Sequence, residues 1–355
     1  DTYGLGKDLY LGDDLGADDF VPAFLDEGRH YSQEGTYSFP FMKSTEVMFY
    51  NKRYMQQIFN FYEQDTGSSI GDYEEYLNNL NWDEFMDLCQ IIKNHESDFA
   101  TGRFYPAVYD SDSNMFISQL IQSGNSFLSL DSNGKGVLDF DSDAAKDMVR
   151  DLKEDYDKGL FTTKGTINEY GSNLFTNGQA VFSIGSSGGA SYNLPTGYSF
   201  EVGICKVPPR CSKDKVSEAE YVSQGPTLAV LNNLQESDSQ KALEALYSWK
   251  FIKYITSTQV NISFTDVSGG YIPVRQSCYE DEYYKEYLED TTEVLSLSAS
   301  LVVNQISGHY FNNPVFKGSS KARDEVGGIL AQVFLNSKTI DAAFDSAVNQ
   351  IKVNM

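Results

Sequence analysis

A G-x-S-x-G pattern occurs at Gly185-Ser186-Ser187-Gly188-Gly189, directly after the apolar run Ala180–Ile184. In an esterase such a turn lifts a serine off the end of a strand as a nucleophile, with an acid and a histidine following in the chain. Ser187 would attack, and His309 lies downstream with Asp266 or Asp281 in between, so the chain order permits a serine hydrolase. No HGGG-type oxyanion segment precedes the loop, and a short Gly/Ser-rich stretch matches by chance easily. A backbone-rich loop that hydrogen-bonds a ligand is the preferred reading.

Metal chemistry finds less support. Asp131-Ser132-Asn133-Gly134-Lys135-Gly136 opens like a calcium loop, but its twelfth position is Ser142 and Lys135 occupies a ligand slot. Asp110, Asp112 and Asn114 repeat the spacing without the glycine. A hairpin turn and a polar loop account for both. No CxxC or Cys/His cluster exists, and the histidines are His30, His95 and His309 alone, so neither a metal nor a cofactor is expected. Cys205 and Cys211 are close enough in sequence to close a small disulfide loop, whereas Cys89 reads as a buried thiol. With 51 acidic residues, no glycosidase-like carboxylate pair can be nominated. Glu46, inside the apolar stretch TEVMFY, is the acid with unusual surroundings, and two readings stay open: a ligand contact or a solvent-facing edge position.

The 355 residues suffice for two packed lobes. A net charge of −24 repels phosphate backbones, which argues against nucleic-acid partners. No apolar run approaches a membrane span of about 20 residues. The opening DTYGLGKDLYLGDD lacks a basic region before an apolar stretch, so the expectation is a cytoplasmic protein or one whose export segment has been removed. Aromatic residues reach 14%, including 24 tyrosines, a side chain whose flat face and polar tip suit sugar rings, although most must be core.

The elements that would position these groups alternate. Thr45–Tyr50 has strand character and runs through Asn51 into a helix; Asn81 caps a helix with Phe85, Leu88, Cys89 and Ile92 on one face. Residues 114–122 read as a helix, Phe127–Phe140 as a hairpin around Asn133-Gly134, and Ser142 caps a helix over Asp143–Tyr156. Strands follow at Ala180–Ile184, near Val202 and at Thr227–Leu231, with helices at Ser237–Thr256 and from about Asp281, Ser320 and Thr339. Without linkers or short repeats, this is an α/β chain whose lobes interleave.

Several stretches together resemble the extracellular solute-binding proteins of ABC importers that include the maltose- and glycerol-3-phosphate-binding proteins. They are SFPFMKSTEVMFYNKRYM, NWDEFMDLCQ, NLFTNGQAVFSIGSS, GGYIPVRQS and the closing NPVFKGSSKARDEVGGILAQVFLNSKTIDAAFDSAVNQI. The resemblance implies a two-lobed periplasmic-binding-protein-like fold with hinge strands, Thr45–Asn51 and Gln224–Val230 among them, and a central ligand cleft. It divides the chain into an N-lobe of residues 1–49 plus 226–285, whose family-typical start has no counterpart before Asp1, and a C-lobe of 50–225 plus 286–355.

The same resemblance implies a non-catalytic subunit that binds a sugar or oligosaccharide, with a glycerophosphoryl solute as the nearest alternative. It places Ser44 and Thr45 at the cleft edge, Tyr109 and Ser111 on the C-lobe rim, and Ser186 and Ser187 in the ligand-facing loop. Gly225 would allow close backbone approach, Tyr271 and Arg275 would supply a ring and a bidentate donor, and Phe311 and Phe316 would be ring platforms. Membrane permease subunits would be the partners of a monomer held outside the cell, as a lipoprotein or in the periplasm. A serine hydrolase using Ser187 and a surface adhesin on the same fold are the rival readings.

Overall fold

The computed structural model describes residues 16–231, 236–306 and 308–355. Its largest sheet has five strands: β1 (Glu46–Asn51), β2 (Tyr105–Tyr109), β3 (Phe161–Thr163), β4 (Ala180–Ser186) and β5 (Val202–Lys206), in the order β3-β2-β4-β1-β5. β2 runs parallel to β3 and β4, while β1 is antiparallel to both β4 and β5. Val47, Met48, Phe49 and Tyr50 of β1 are all buried, as expected of a strand covered on both faces.

The covering helices form where the periodicity places them. α1 (Trp82–Asn94) opens with a capping box: Glu84 N–H donates to Asn81 Oδ1 at 2.9 Å, and Asn81 N–H donates to the Glu84 carboxylate at 3.0 Å. It buries Phe85, Leu88, Cys89 and Ile92. α2 (Asp112–Gln122) and α3 (Asp143–Asp157) pack with α4 (Ser319–Phe334) and α5 (Ile340–Lys352), which close the same half of the molecule. The expected hairpin is short: Ser129–Leu130 pairs with Gly136–Val137 around Asp131. Cys205 and Cys211 are free thiols, contrary to the disulfide option. Cys205 lies inside β5 with Sγ directed at Met48 O, and a Pro-Pro turn carries Cys211 away from the strand.

The other half holds Phe39–Pro40 paired with Thr227–Leu228, together with helices Asp238–Ile255 and Thr258–Ser268. Among the described residues, three segments join the halves side by side. In the first, successive residues change partner: Lys43 bonds Ile272, Ser44 exchanges N–H···O bonds of 2.8 and 3.0 Å with Gln224, and Thr45 accepts from Ser187 N–H. In the third, Tyr310–Phe311 runs parallel to Tyr221–Val222 of the second. β1 therefore lies wholly within the five-stranded sheet, and the crossing expected over Thr45–Asn51 is complete by Thr45.

Gly225 makes the second crossing possible. Its φ is +131°, and a Cβ there would sit 2.3 Å from Met42 O, so the close approach it permits is between two crossings rather than to a ligand. Gly225→Ala is expected to cost about 2 kcal/mol or more of folding stability. An unchanged melting temperature would contradict this packing.

Candidate binding cleft

A cavity of about 600 Å³ opens at the carboxyl ends of β2 and β4. Register puts it there: Glu46 pairs with Ser186 and Tyr109 with Ile184, so the start of β1 meets the ends of its neighbours. Strand ends of this kind leave a crevice that loops must line. Asp110 and Ser111 come from the end of β2, Gly185 and Ser186 from the end of β4, Asn114 from α2, Gln224 from the second crossing and Arg323 from α4. The remaining wall is Tyr170 to Asn173, at the start of the short helix Gly171–Thr176, and Gly189 to Asn193, within the 3-10 segment Ser187–Asn193.

Local hydrogen bonds hold these segments. Asp110 accepts from Gly171 N–H, and a Cβ on Gly171 would crowd Val108 at 2.7 Å. Asp112 accepts from Thr163 Oγ1 at 2.5 Å and Gly165 N–H at 2.8 Å, which fixes the segment leading to Tyr170. Ser111 caps α2 by accepting from Asn114 N–H at 3.2 Å. Tyr170 and Tyr192 are 56% and 75% exposed, so two aromatic rings border a polar cavity. Asn193 is the reverse case: it is 3% exposed, and its Oδ1 has no partner among the described residues. A buried amide oxygen left this way calls for a donor from elsewhere.

The electrostatics centre on Glu46, which is 3% exposed at the cavity floor. It accepts from Tyr109 Oη at 2.6 Å and from Asn114 Nδ2 at 2.8 Å. Burial pushes its carboxyl up to about 7; those two hydrogen bonds and the Arg323 charge oppose the shift, and Asp110 adds to it. Burial also raises Asp110, against hydrogen bonds from the Gly171 and Ser172 backbone and the charge of Lys164. Of the two readings of Glu46, the edge position is excluded, since β1 is flanked on both sides.

The sequence-nominated residues divide. Ser111 and Ser186 line the cavity. Ser44 sits just behind, with its Oγ 3.4 Å from Ser186 Oγ, and Tyr109 supports the floor through Glu46. Thr45 and Ser187 are fully buried and bond each other, Thr45 N–H donating to Ser187 Oγ at 3.2 Å. This seals the G-x-S-x-G serine and corrects the nucleophile-elbow reading.

Four others stand apart from the cavity. Arg275 is buried beneath Phe20, donating to Thr256 O and to Asp19 at 3.3 Å, so its charge is used inside the other half. Phe311 belongs to a crossing strand, and Phe316 packs where a Gly136 Cβ would lie 2.2 Å from its ring; both are buried and neither forms a platform. Tyr271 lies against Gly188, behind the loop. The sequence reading missed Asp110, Asn114, Tyr170, Tyr192, Asn193, Gln224 and Arg323. The Asp110–Asn114 spacing resembles a metal loop, and Arg323 lies within a helical stretch that gives it no separate signal.

Residues 4–291 match the bacterial extracellular solute-binding protein family. The chain belongs to this family, the solute-receiving component of ABC importers, and its role is to bind a small-molecule substrate. The fold is similar to that of UgpB from Mycobacterium tuberculosis in complex with glycerophosphocholine, at 18% identity and TM-score 0.68, over 95% of this chain and 74% of that one. It is similar to the GacH receptor of Streptomyces glaucescens, solved unliganded and with acarbose, at 18% identity and TM-score 0.66, over 96% and 75%. A Listeria monocytogenes ABC substrate-binding protein in complex with cycloalternan aligns at 14% identity and TM-score 0.68, over 96% and 76%. These neighbours carry the two-lobed binding-protein fold. No curated protein matches the chain. Among the described residues, no helix is long and apolar enough to cross a membrane.

Burial of Glu46 has a consequence for stability. Its carboxyl rises from 4.5 to about 7 on folding, so its contribution is complete below pH 4.5 and is lost as pH rises through 7. Relative to Glu46→Gln, which does not titrate, the native protein should lose about 2 kcal/mol between pH 5 and pH 8. Denaturant unfolding of both proteins at the two pH values checks this; a pH-independent difference would contradict it.

Proposed function

We propose that the cavity binds a sugar or oligosaccharide and releases it unchanged. The observation that carries this is the pairing of two exposed tyrosine rings with a buried wall of hydroxyl and amide groups, including the unpartnered Asn193 Oδ1. Sugar rings present apolar faces to aromatic side chains and hydroxyl edges to donors and acceptors, which is the division this wall offers. Acarbose and cycloalternan, bound by two structural neighbours, are carbohydrates. A glycerophosphoryl solute is the second reading, favoured by Arg323 in the wall and by the glycerophosphocholine complex of another neighbour.

The sealed Ser187 supports binding without catalysis. We assign residues 16–43 plus 227–290 to one lobe and 45–222 plus 316–355 to the other, because Glu46–Asn51 pairs within the second and Glu282–Glu289 follows the helices of the first. Gln224 reaches the cavity from the segment joining the lobes, so a solute touching it favours one interlobe arrangement over others. That arrangement would be presented to membrane permease subunits by a monomer, tethered outside the cell by lipid or free in the periplasm. A charge of −24 disfavours nucleic acid.

Thermal-shift screening with neutral saccharides, maltotriose included, should raise the melting temperature, since a ligand of the native state stabilises it. Tyr170→Ala and Tyr192→Ala should each weaken a saccharide hit by roughly 3- to 10-fold in calorimetry. If no neutral saccharide shifts the melt while glycerophosphocholine does, the second reading replaces the first.

A further inference from the structure

The cavity contains one guanidinium, and a chain of hydrogen bonds ties it to the cavity floor. Arg323 donates to Asn114 Oδ1. The same amide donates from Nδ2 to Glu46 Oε1 at 2.8 Å and to Gln224 Oε1 at 3.2 Å. A guanidinium can only donate and an ionised carboxylate can only accept, so the amide between them has one orientation. Asn114 thereby joins the start of β1, the second crossing and α4 in one chain of bonds. With Gln224 Oε1 taken, its Nε2 is the end that remains for the cavity.

The charge balance points the same way. The charged side chains lining the cavity are Glu46, Asp110 and Arg323, two potential anions against one cation. Lys164 lies nearby, but its ammonium sits 3.6 Å from the centre of the Tyr170 ring, and it is not among the lining residues. A phosphate entering this space would meet two carboxyl groups. Arg323 would have to meet it with the donors that its bond to Asn114 Oδ1 leaves over, from a guanidinium held by that bond. A neutral polyol meets no such charge conflict.

We propose that Glu46 is a specificity-determining residue of the cleft: through Asn114 it holds Arg323 in place, and with Asp110 its carboxylate outweighs that cation and turns the cavity toward neutral solutes and away from phosphate-bearing ones. This rests on the cavity being the binding site and chooses between the two solute classes left by its geometry. It is rejection by like charge, in which a wrong ligand is excluded by what it must face. Glu46 acts here as a positioning residue as well as a charge, because the carboxylate fixes which way the Asn114 amide points.

The test uses sn-glycerol 3-phosphate and inorganic phosphate as anionic probes, with sodium chloride at matched ionic strength as the control and maltotriose as the neutral probe. Calorimetry and thermal shift at pH 8 are run on the native protein, Glu46→Gln, and Glu46→Gln combined with Arg323→Met. The native protein is expected to show no anion binding beyond the chloride control. Glu46→Gln should gain at least 10-fold in affinity for glycerol 3-phosphate, and the added Arg323→Met should abolish the gain. Tight glycerol 3-phosphate binding by the native protein, or no gain in Glu46→Gln, overturns the proposal.

If Glu46→Gln does not fold, Asn114→Leu cuts the link while leaving both charges in place and should still raise anion affinity several-fold; an unchanged affinity there also overturns it. The maltotriose arm reads the other claim separately. A gain in anion affinity without saccharide binding by the native protein sinks the sugar reading but leaves the role of Glu46 intact.

Discussion

Ser44 and Gln224 exchange both of their backbone hydrogen bonds, and the rest of the molecule is arranged around that contact. It is where two of the three joining segments touch, and each continues directly into the cavity wall. Two residues past Ser44 is Glu46, and Gln224 is itself a lining residue. The cavity therefore lies on the half that holds the five-stranded sheet, at its edge with the junction: every lining residue except Gln224 belongs to that half. The extended backbone imposes the geometry: strands laid edge to edge bring the β1 start, the β4 end and the second crossing to one level.

The cost of that arrangement is a carboxylate at the floor of the crevice. An isolated buried charge is unfavourable, and the structure answers it with a phenol, an amide and, one bond further, a guanidinium. These partners come from β2, α2 and α4, elements far apart in the chain. The network is thus a fold-wide constraint as well as a local one. It also explains the quiet role of Tyr109, which is fully enclosed and holds Glu46 in place from below.

The fold was readable from the sequence to the extent that it depends on local pattern. The cap at Asn81, the turn at Asn133-Gly134, the cap at Ser142 and the apolar runs of β1 and β4 are short-range signals, and each element except the shortened hairpin formed close to its expected bounds. The site was readable only where a motif happened to coincide with a strand end, as at Ser111 and Ser186. Arg275 looked like a ligand donor because its Tyr-Ile-Pro-Val-Arg setting resembled the family's pocket, yet Asp19, some 256 positions earlier, claims its charge. Arg323 carried no local mark, and Asn114 was marked only by a spacing that resembles a metal loop. Their importance comes from a contact across 209 positions that no spacing rule encodes. Phe311 and Phe316 show the general hazard with aromatic residues: side chains that could stack on a sugar serve equally well as core, and burial alone decides.

Backbone hydrogen–deuterium exchange with and without a mixture of glucose-based oligosaccharides tests the location of binding most directly. The account predicts slowed exchange in the Gly185–Asn193 loop, the Asp110–Asn114 segment and the crossing around Gln224, with other surfaces unaffected. Unchanged exchange in those three segments, with protection elsewhere or nowhere, would contradict it.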